Sequence, residues 1–254
     1  MSSPDQAAHL KYLLRLADTS LILGHRLSEW SGRAPTLEED IALSNIGLDL
    51  IGQARPLYAH AARLEGQGRS EDDLAFLRDP EEYLNLQIVE RPNKDFAVTM
   101  ARQLAYSTFA ELAWSALKAS RDPEIAGVAA KAEKECTYHV RHSAEWVIRL
   151  GDGTAESHAR MQAGLDDVWM YTGEMFEVDD IDRAMIAAGI GFDASALKPR
   201  WTEAMREVIA EATLKMPGDG WMSTGGRRGV HTEHLGHLLA QMQVLPRAHP
   251  GAAW

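Results

Sequence analysis

Leu10, Leu13, Leu14, Ala17, Leu21 and Leu27 recur at the spacing of one helix face, and this first periodic segment covers about residues 5–30. Gly32 and Pro35 break it. A second segment begins at Thr36, where Thr36 and Glu39 have the spacing of a capping box. It carries Ile41, Leu48, Ile51, Leu57 and Leu64 and ends near Gly66 and Gly68. A long connection, residues 69–94, follows, with a short acidic helix expected around 70–77. Asp95 is placed to cap a third helix that reaches about Ala119. Asp122 and Pro123 open a fourth as N-cap and first-turn proline, and Gly151 stops it. The last third of the sequence predicts further helices at about 154–176, 180–188, 198–215 and 232–245, with a Gly-rich loop at 218–229.

Four of these helices are long, roughly 35–45 Å each at 1.5 Å per residue. The first and second, and the third and fourth, are joined by short turns, which favours antiparallel hairpins. One long crossover between two hairpins is the topology of a ferritin-like four-helix bundle. The expected fold is therefore all-α and ferritin-like, in a single domain. Its core bundle covers about residues 5–150 and a C-terminal helical extension about 154–254, with no Pro/Ser linker between them.

Composition narrows the function. The chain has 254 residues and a net charge of −11, which argues against a nucleic-acid binder. The single cysteine, Cys136, excludes an intramolecular disulfide and suggests a reducing compartment. The N-terminal residues lack the basic-then-apolar pattern of a signal peptide. No apolar run approaches the ~20 residues of a membrane span. A cytoplasmic location is expected.

Ferritin-like di-metal proteins take their ligands from two Glu-x-x-His pairs and two further Glu. None of the ten histidines here has a carboxylate three residues before it. Asp49, Glu111, Glu135 and His139 stand where remnants of such a centre would lie, and Asn45, Asp49 and Gln53 form an i, i+4, i+8 ladder that could replace metal with hydrogen bonds. The expectation is a degenerate centre, no metal and no catalytic residue. Asp18 and His25 on the first helix could also face inward. Arg227 and Arg228 sit among glycines before the last helix, a composition suited to an anion or to docking on a partner or on the bundle itself. His231, His234 and His237 recur every third residue but lack a converging zinc ligand. The P-loop, Rossmann and nucleophile-elbow patterns are absent.

Five stretches carry a resemblance: LSEW at 27–30, NIGLDLIGQAR at 45–55, ERPNKDF at 90–96, YHVRHS at 138–143 and TGGRRGVHTEHLG at 224–236. Together they make the chain, from about residue 13 to 254, resemble the C-subunit family of the multicomponent phenylacetyl-CoA epoxidases. The resemblance implies a ferritin-like, non-catalytic structural subunit in aerobic phenylacetate degradation. It implies a heterotetramer with a catalytic A subunit that carries di-iron, a small B subunit, and a reductase with FAD and iron–sulfur that draws on NADPH. No cofactor is implied on this chain. By local match it places phenylacetyl-CoA contacts at Glu82, Tyr83, Leu84 and Asn85, after Arg78 and Asp79. A second set is Arg183, Ala184 and Met185, after Ile181 and Asp182. The alternative expectation is a stand-alone di-metal oxidase or ferroxidase with Asp49, Glu111, Glu135 and His139 as atypical ligands.

Overall fold

A computed structural model describes residues 5–218 and 220–252. Among them every regular element is helical: α1 Gln6–Ser28, α2 Leu37–Glu65, α3 Glu71–Phe76, α4 Gln87–Glu90, α5 Phe96–Leu117, α6 Pro123–Gly151, α7 Ala155–Trp169, α8 Asp180–Ala188, α9 Lys198–Glu211, α10 Glu233–Met242 and α11 Val244–Ala248. The all-α class and the order of two long hairpins joined by a crossover match the ferritin-like expectation.

The helices gather into two compact units. One runs to Pro92 and resumes at Thr224; the other is Asn93–Ser223. This grouping cuts across the expected division into core and extension. Residues 154–223 belong with the second hairpin, and residues from 224 onward return to the first.

In the first unit, α1 and α2 approach closely at a pair of glycines. A Cβ on Gly24 would stand 3.1 Å from the Gly47 carbonyl oxygen, and one on Gly47 would stand 3.2 Å from that of Gly24. The first helix buries the predicted stripe, with Leu13, Ala17, Leu21 and Leu27 all at or below 3% exposure. Between α3 and α4 the crossover makes a 3-10 turn at Pro80–Glu82. In the second unit, α5 and α6 form the hairpin, and Phe96 meets Trp146 edge-on at 5.0 Å between ring centroids. The Trp201 indole N–H of α9 donates to the Ala105 carbonyl of α5 at 2.8 Å.

Capping follows the sequence at most ends. Asp95 accepts from the Val98 N–H at 2.9 Å, and Asp122 accepts from Glu124 and Ile125. The acidic helix α3 has a full capping box between Ser70 and Asp73. The expected box at Thr36 and Glu39 is not made: Thr36 is the N-cap, but its side chain makes no capping hydrogen bond. Glu38, Glu39 and Asp40 instead put negative charge in the first turn, where the helix dipole favours it.

Three predicted helices are shorter than expected, for local reasons. The helix expected over 154–176 ends at Trp169, because the Thr172 hydroxyl takes the Trp169 carbonyl at 2.8 Å and the chain tightens into a 3-10 turn at Gly173–Phe176. The helix expected over 198–215 ends at Glu211, since Thr213 adopts φ 59°. The last helix breaks at Gln243, whose side chain turns inward to the Arg78 carbonyl at 2.8 Å.

The glycine contact gives a direct test. Gly24→Leu should destabilise the chain by about 1–3 kcal/mol through overpacking, seen as a lower midpoint in urea. An unchanged midpoint would mean that α1 and α2 are not held this closely.

Candidate functional site

The densest polar chemistry in the first unit lies under the crossover. Asp18 projects from α1 and is fully buried. Its position within the Leu14–Ala17–Leu21 stripe puts a carboxylate on the apolar face, where it needs partners. Three residues supply them. Tyr58 of α2 donates its hydroxyl at 2.5 Å. Arg78 of the crossover makes a two-pronged ion pair with both carboxylate oxygens. The Leu84 backbone N–H donates at 2.7 Å.

Arg78 is equally committed. Its Nε donates to the Leu74 carbonyl at 2.6 Å and one terminal nitrogen donates to the Glu82 carbonyl at 2.8 Å. The guanidinium lies 4.2 Å from the Tyr83 ring centroid. Burial opposes its charge, but Asp18 and Tyr58 outweigh that and hold its pKa above the ordinary value. Burial, aided by the Asp18 charge, pushes the Tyr58 hydroxyl well above its usual range. Burial likewise raises Tyr83 to about 12, against the pull of Arg78. Tyr83 donates to the Ala75 carbonyl at 2.7 Å and accepts from Gln243 at 3.1 Å.

A second buried pair joins the crossover to the returning C-terminal segment. Glu90, fully buried, accepts from His231 Nδ1 at 2.9 Å, from the Asn85 amide at 3.0 Å and from the Thr232 N–H at 2.5 Å. The other His231 nitrogen, Nε2, meets the Tyr83 carbonyl at 2.8 Å. Nδ1 faces a carboxylate oxygen and Nε2 a backbone carbonyl, an arrangement that favours the doubly protonated ring. Burial works against this charge, and the Glu90 hydrogen bond and charge overcome it, raising the pKa. Arg26 then closes the arrangement, donating to the Glu90 carbonyl at 2.8 Å and to that of His234 at 3.1 Å.

These bonds decide what the 82–85 segment can offer a ligand. The Glu82 carbonyl, the Tyr83 carbonyl and the Leu84 N–H all point their bonds inward. Tyr83 and Asn85 are buried, while the Glu82 side chain is exposed and Leu84 is half-buried. Glu82 itself accepts from the Asp79 N–H at 2.8 Å. In the other unit, Arg183 is exposed and pairs with Asp180 at 2.7 Å, Ala184 is half-buried and Met185 is fully buried. Of this set, Glu82, Leu84, Arg183 and Ala184 leave side-chain surface exposed in whole or in part.

Arg227 and Arg228 lie in a 3-10 turn, Gly226–Arg228, that seats on the crossover. A Cβ on Gly226 would collide with the Asn85 carbonyl, and one on Gly229 with that of Glu81. The Arg227 carbonyl accepts from Arg15 at 3.2 Å. The backbone of this loop is thus docked within its own unit.

Two of the remnant metal donors have other partners. Glu111 accepts from the Thr137 hydroxyl at 2.7 Å, and Glu135 pairs with Lys131 at 3.0 Å. His139 is buried on α6. Among the described residues, Glu111, Glu135 and His139 do not form a group of three ligand atoms within 4.8 Å of one another. On α2 the ladder is not continuous inside the core. Asn45 is exposed, Asp49 half-buried and Gln53 buried, because each i, i+4 step turns about 40° around the helix axis.

Asp18 was legible as an inward-facing carboxylate on an apolar stripe. Its pairing with Arg78, sixty residues on, left no local pattern. The roles of Glu90 and His231 were missed; both fall in stretches that carry the family resemblance, which was the available signal.

Asp18→Ala should cost about 3–5 kcal/mol in unfolding free energy, because Arg78 would stay buried without its charge partner. Asp18→Leu combined with Arg78→Met should recover much of that loss in the same urea titration. The His231 pair predicts a pH dependence. Its folded pKa is raised, so its contribution is full below the unfolded value of 6.5 and is lost as pH rises through the folded pKa. Unfolding free energy against pH should fall across that window, and Glu90→Gln should flatten this component.

Two comparisons with known proteins bear on identity. The family model described as "Phenylacetic acid catabolic protein" matches residues 1–254. The C subunit of the 1,2-phenylacetyl-CoA epoxidase from Escherichia coli (strain K12) is 47% identical over 243 residues, spanning 96% of this chain and 98% of that one. With its all-helical hairpins and crossover, the chain belongs to the phenylacetic acid catabolic protein family.

Proposed function

We propose that this chain is the non-catalytic structural subunit of a cytoplasmic phenylacetyl-CoA epoxidase. In this reading it pairs with a ferritin-like catalytic subunit that carries the di-iron centre, in a heterotetramer that a B subunit and a reductase complete. It helps bind the acyl-CoA substrate and carries no cofactor of its own. The observation that carries the reading is the 47% identity, spread over 96% of the chain, to the Escherichia coli epoxidase's C subunit. The lack of any Glu-x-x-His pair supports it.

A surface for the partner is suggested by α2. Leu37, Ile41 and Leu48 are spaced 4 and 7 residues apart, so they share a helix face, and they are 72%, 53% and 65% exposed. An apolar stripe of this kind is what a partner interface covers.

Co-expression provides the test. The chain should co-purify with a ferritin-like subunit that contains Glu-x-x-His, and the pair should bind iron in the partner only. Iron measured on the chain alone, after growth in added iron, should be far below two per chain. Two irons per chain with oxidase activity in isolation would establish the di-metal oxidase instead. Ile41→Asp with Leu48→Asp should weaken association with the partner at least about tenfold while leaving the unfolding free energy within about 0.5 kcal/mol.

A further inference from the structure

The first unit holds a pair of histidines that belongs neither to the crossover network nor to the remnant metal donors. His9 lies at the start of α1 and His60 near the end of α2. Their ring centroids are 5.5 Å apart, with the ring planes at 81°. A ring nitrogen of each lies within 4.8 Å of one on the other.

The register of the α1–α2 hairpin puts them together. The two helices touch at Gly24 and Gly47. His9 stands 15 residues before the first glycine and His60 13 residues after the second. Along antiparallel axes these are about 22 and 20 Å, so the two positions come level. The same end of the hairpin is tied by Gln6, whose side-chain amide donates to the Leu64 carbonyl at 2.5 Å. Tyr12 and Leu57, both buried, pack the helices one turn farther in. The backbones that carry the two imidazoles are therefore fixed, one on each helix.

The chemistry of the pair is specific. Apolar rings at these positions would pack edge-on as well, without the cost of desolvating polar nitrogens. What two imidazoles add is a pair of nitrogen donors. Neutral imidazole suits zinc, copper and nickel, whereas magnesium and calcium take oxygen ligands. Tetrahedral zinc at about 2.0–2.1 Å from each nitrogen needs the two nitrogens about 3.4 Å apart. His60 is half-buried, so its side chain has room for the rotation that closes the difference. Its exposed edge leaves the remaining coordination positions to water.

We infer that His9 and His60 form a cross-helix binding site for a borderline divalent cation, of which zinc is the probe of choice. The ion bridges α1 and α2 and clamps the open end of the hairpin. It is held in the folded chain only, because no local sequence spacing brings the two residues together, so its binding free energy adds to stability. Two protein ligands make it weaker than a four-ligand structural zinc site. The inference does not rest on the proposed function.

The experiment titrates the full chain with zinc chloride, read by calorimetry and by thermal melting. One equivalent should bind, and saturating zinc should raise the melting temperature while magnesium at the same concentration leaves it unchanged. His60→Gln should weaken that equivalent at least about tenfold and abolish the zinc-dependent rise, with the melting temperature in a chelator as the check on folding. His237→Gln, at an exposed histidine elsewhere in the unit, should change neither. X-ray absorption of the zinc-loaded unmodified chain reads the ligands without any substitution and should show two imidazoles. Four results overturn the site: no rise in melting temperature with zinc, an equal rise with magnesium, an undiminished zinc response in folded His60→Gln, or fewer than two imidazoles on the bound ion.

Discussion

The ion pair between Asp18 and Arg78 is the constraint on which the first unit depends. A carboxylate in the apolar stripe of α1 is unfavourable alone, and the guanidinium that answers it comes from the crossover. That choice of partner fixes the register of an otherwise irregular segment. Arg78 reaches Leu74 behind it and Glu82 ahead of it, and Asp18 takes the Leu84 N–H. A purely apolar pairing would bury similar area without specifying which backbone atoms meet. Replacing a buried ion pair by well-packed apolar groups is often neutral or stabilising. The value of this one lies in the geometry it dictates more than in net stability.

The second buried pair builds on the first. Once Asp18 and Arg78 set the crossover, the Tyr83 carbonyl and the Glu90 carboxylate face the same imidazole, one at each ring nitrogen of His231. The C-terminal segment is thereby fastened to the crossover. Gly226 fits where any side chain would strike the Asn85 carbonyl, and Gln243 reaches the Arg78 carbonyl farther along. Charge, close backbone approach and a side-chain amide act in sequence along one returning stretch of chain.

The sequence made the long helices legible because their apolar positions follow a single period and their caps are local. Asp95, Asp122 and the Ser70–Asp73 box illustrate this. Features that depend on distant residues were not legible. Gln243 breaks the last helix because its side chain turns to Arg78, 165 residues away in sequence. The 45–49–53 ladder reads as one polar line, yet helix rotation carries it from solvent at Asn45 to the interior at Gln53. Trp169 and Trp201, on different helices, pack at 5.5 Å between ring centroids, a contact that no local pattern announces.

A carboxylate can serve a metal or a proton transfer only if it has an acceptor site left to give. Asp18 receives Tyr58, both prongs of Arg78 and the Leu84 N–H; Glu90 receives His231, Asn85 and the Thr232 N–H. To recruit Asp18 for chemistry, a ligand would have to displace buried, charge-assisted hydrogen bonds and leave Arg78 uncompensated; drawing Glu90 away would likewise take the carboxylate from His231. That cost, several kcal/mol for each stranded ion, is of the size of a domain's whole stability. These two buried carboxylates are therefore committed to architecture. The polar side chains left exposed lie elsewhere, as at Glu82 and Arg183.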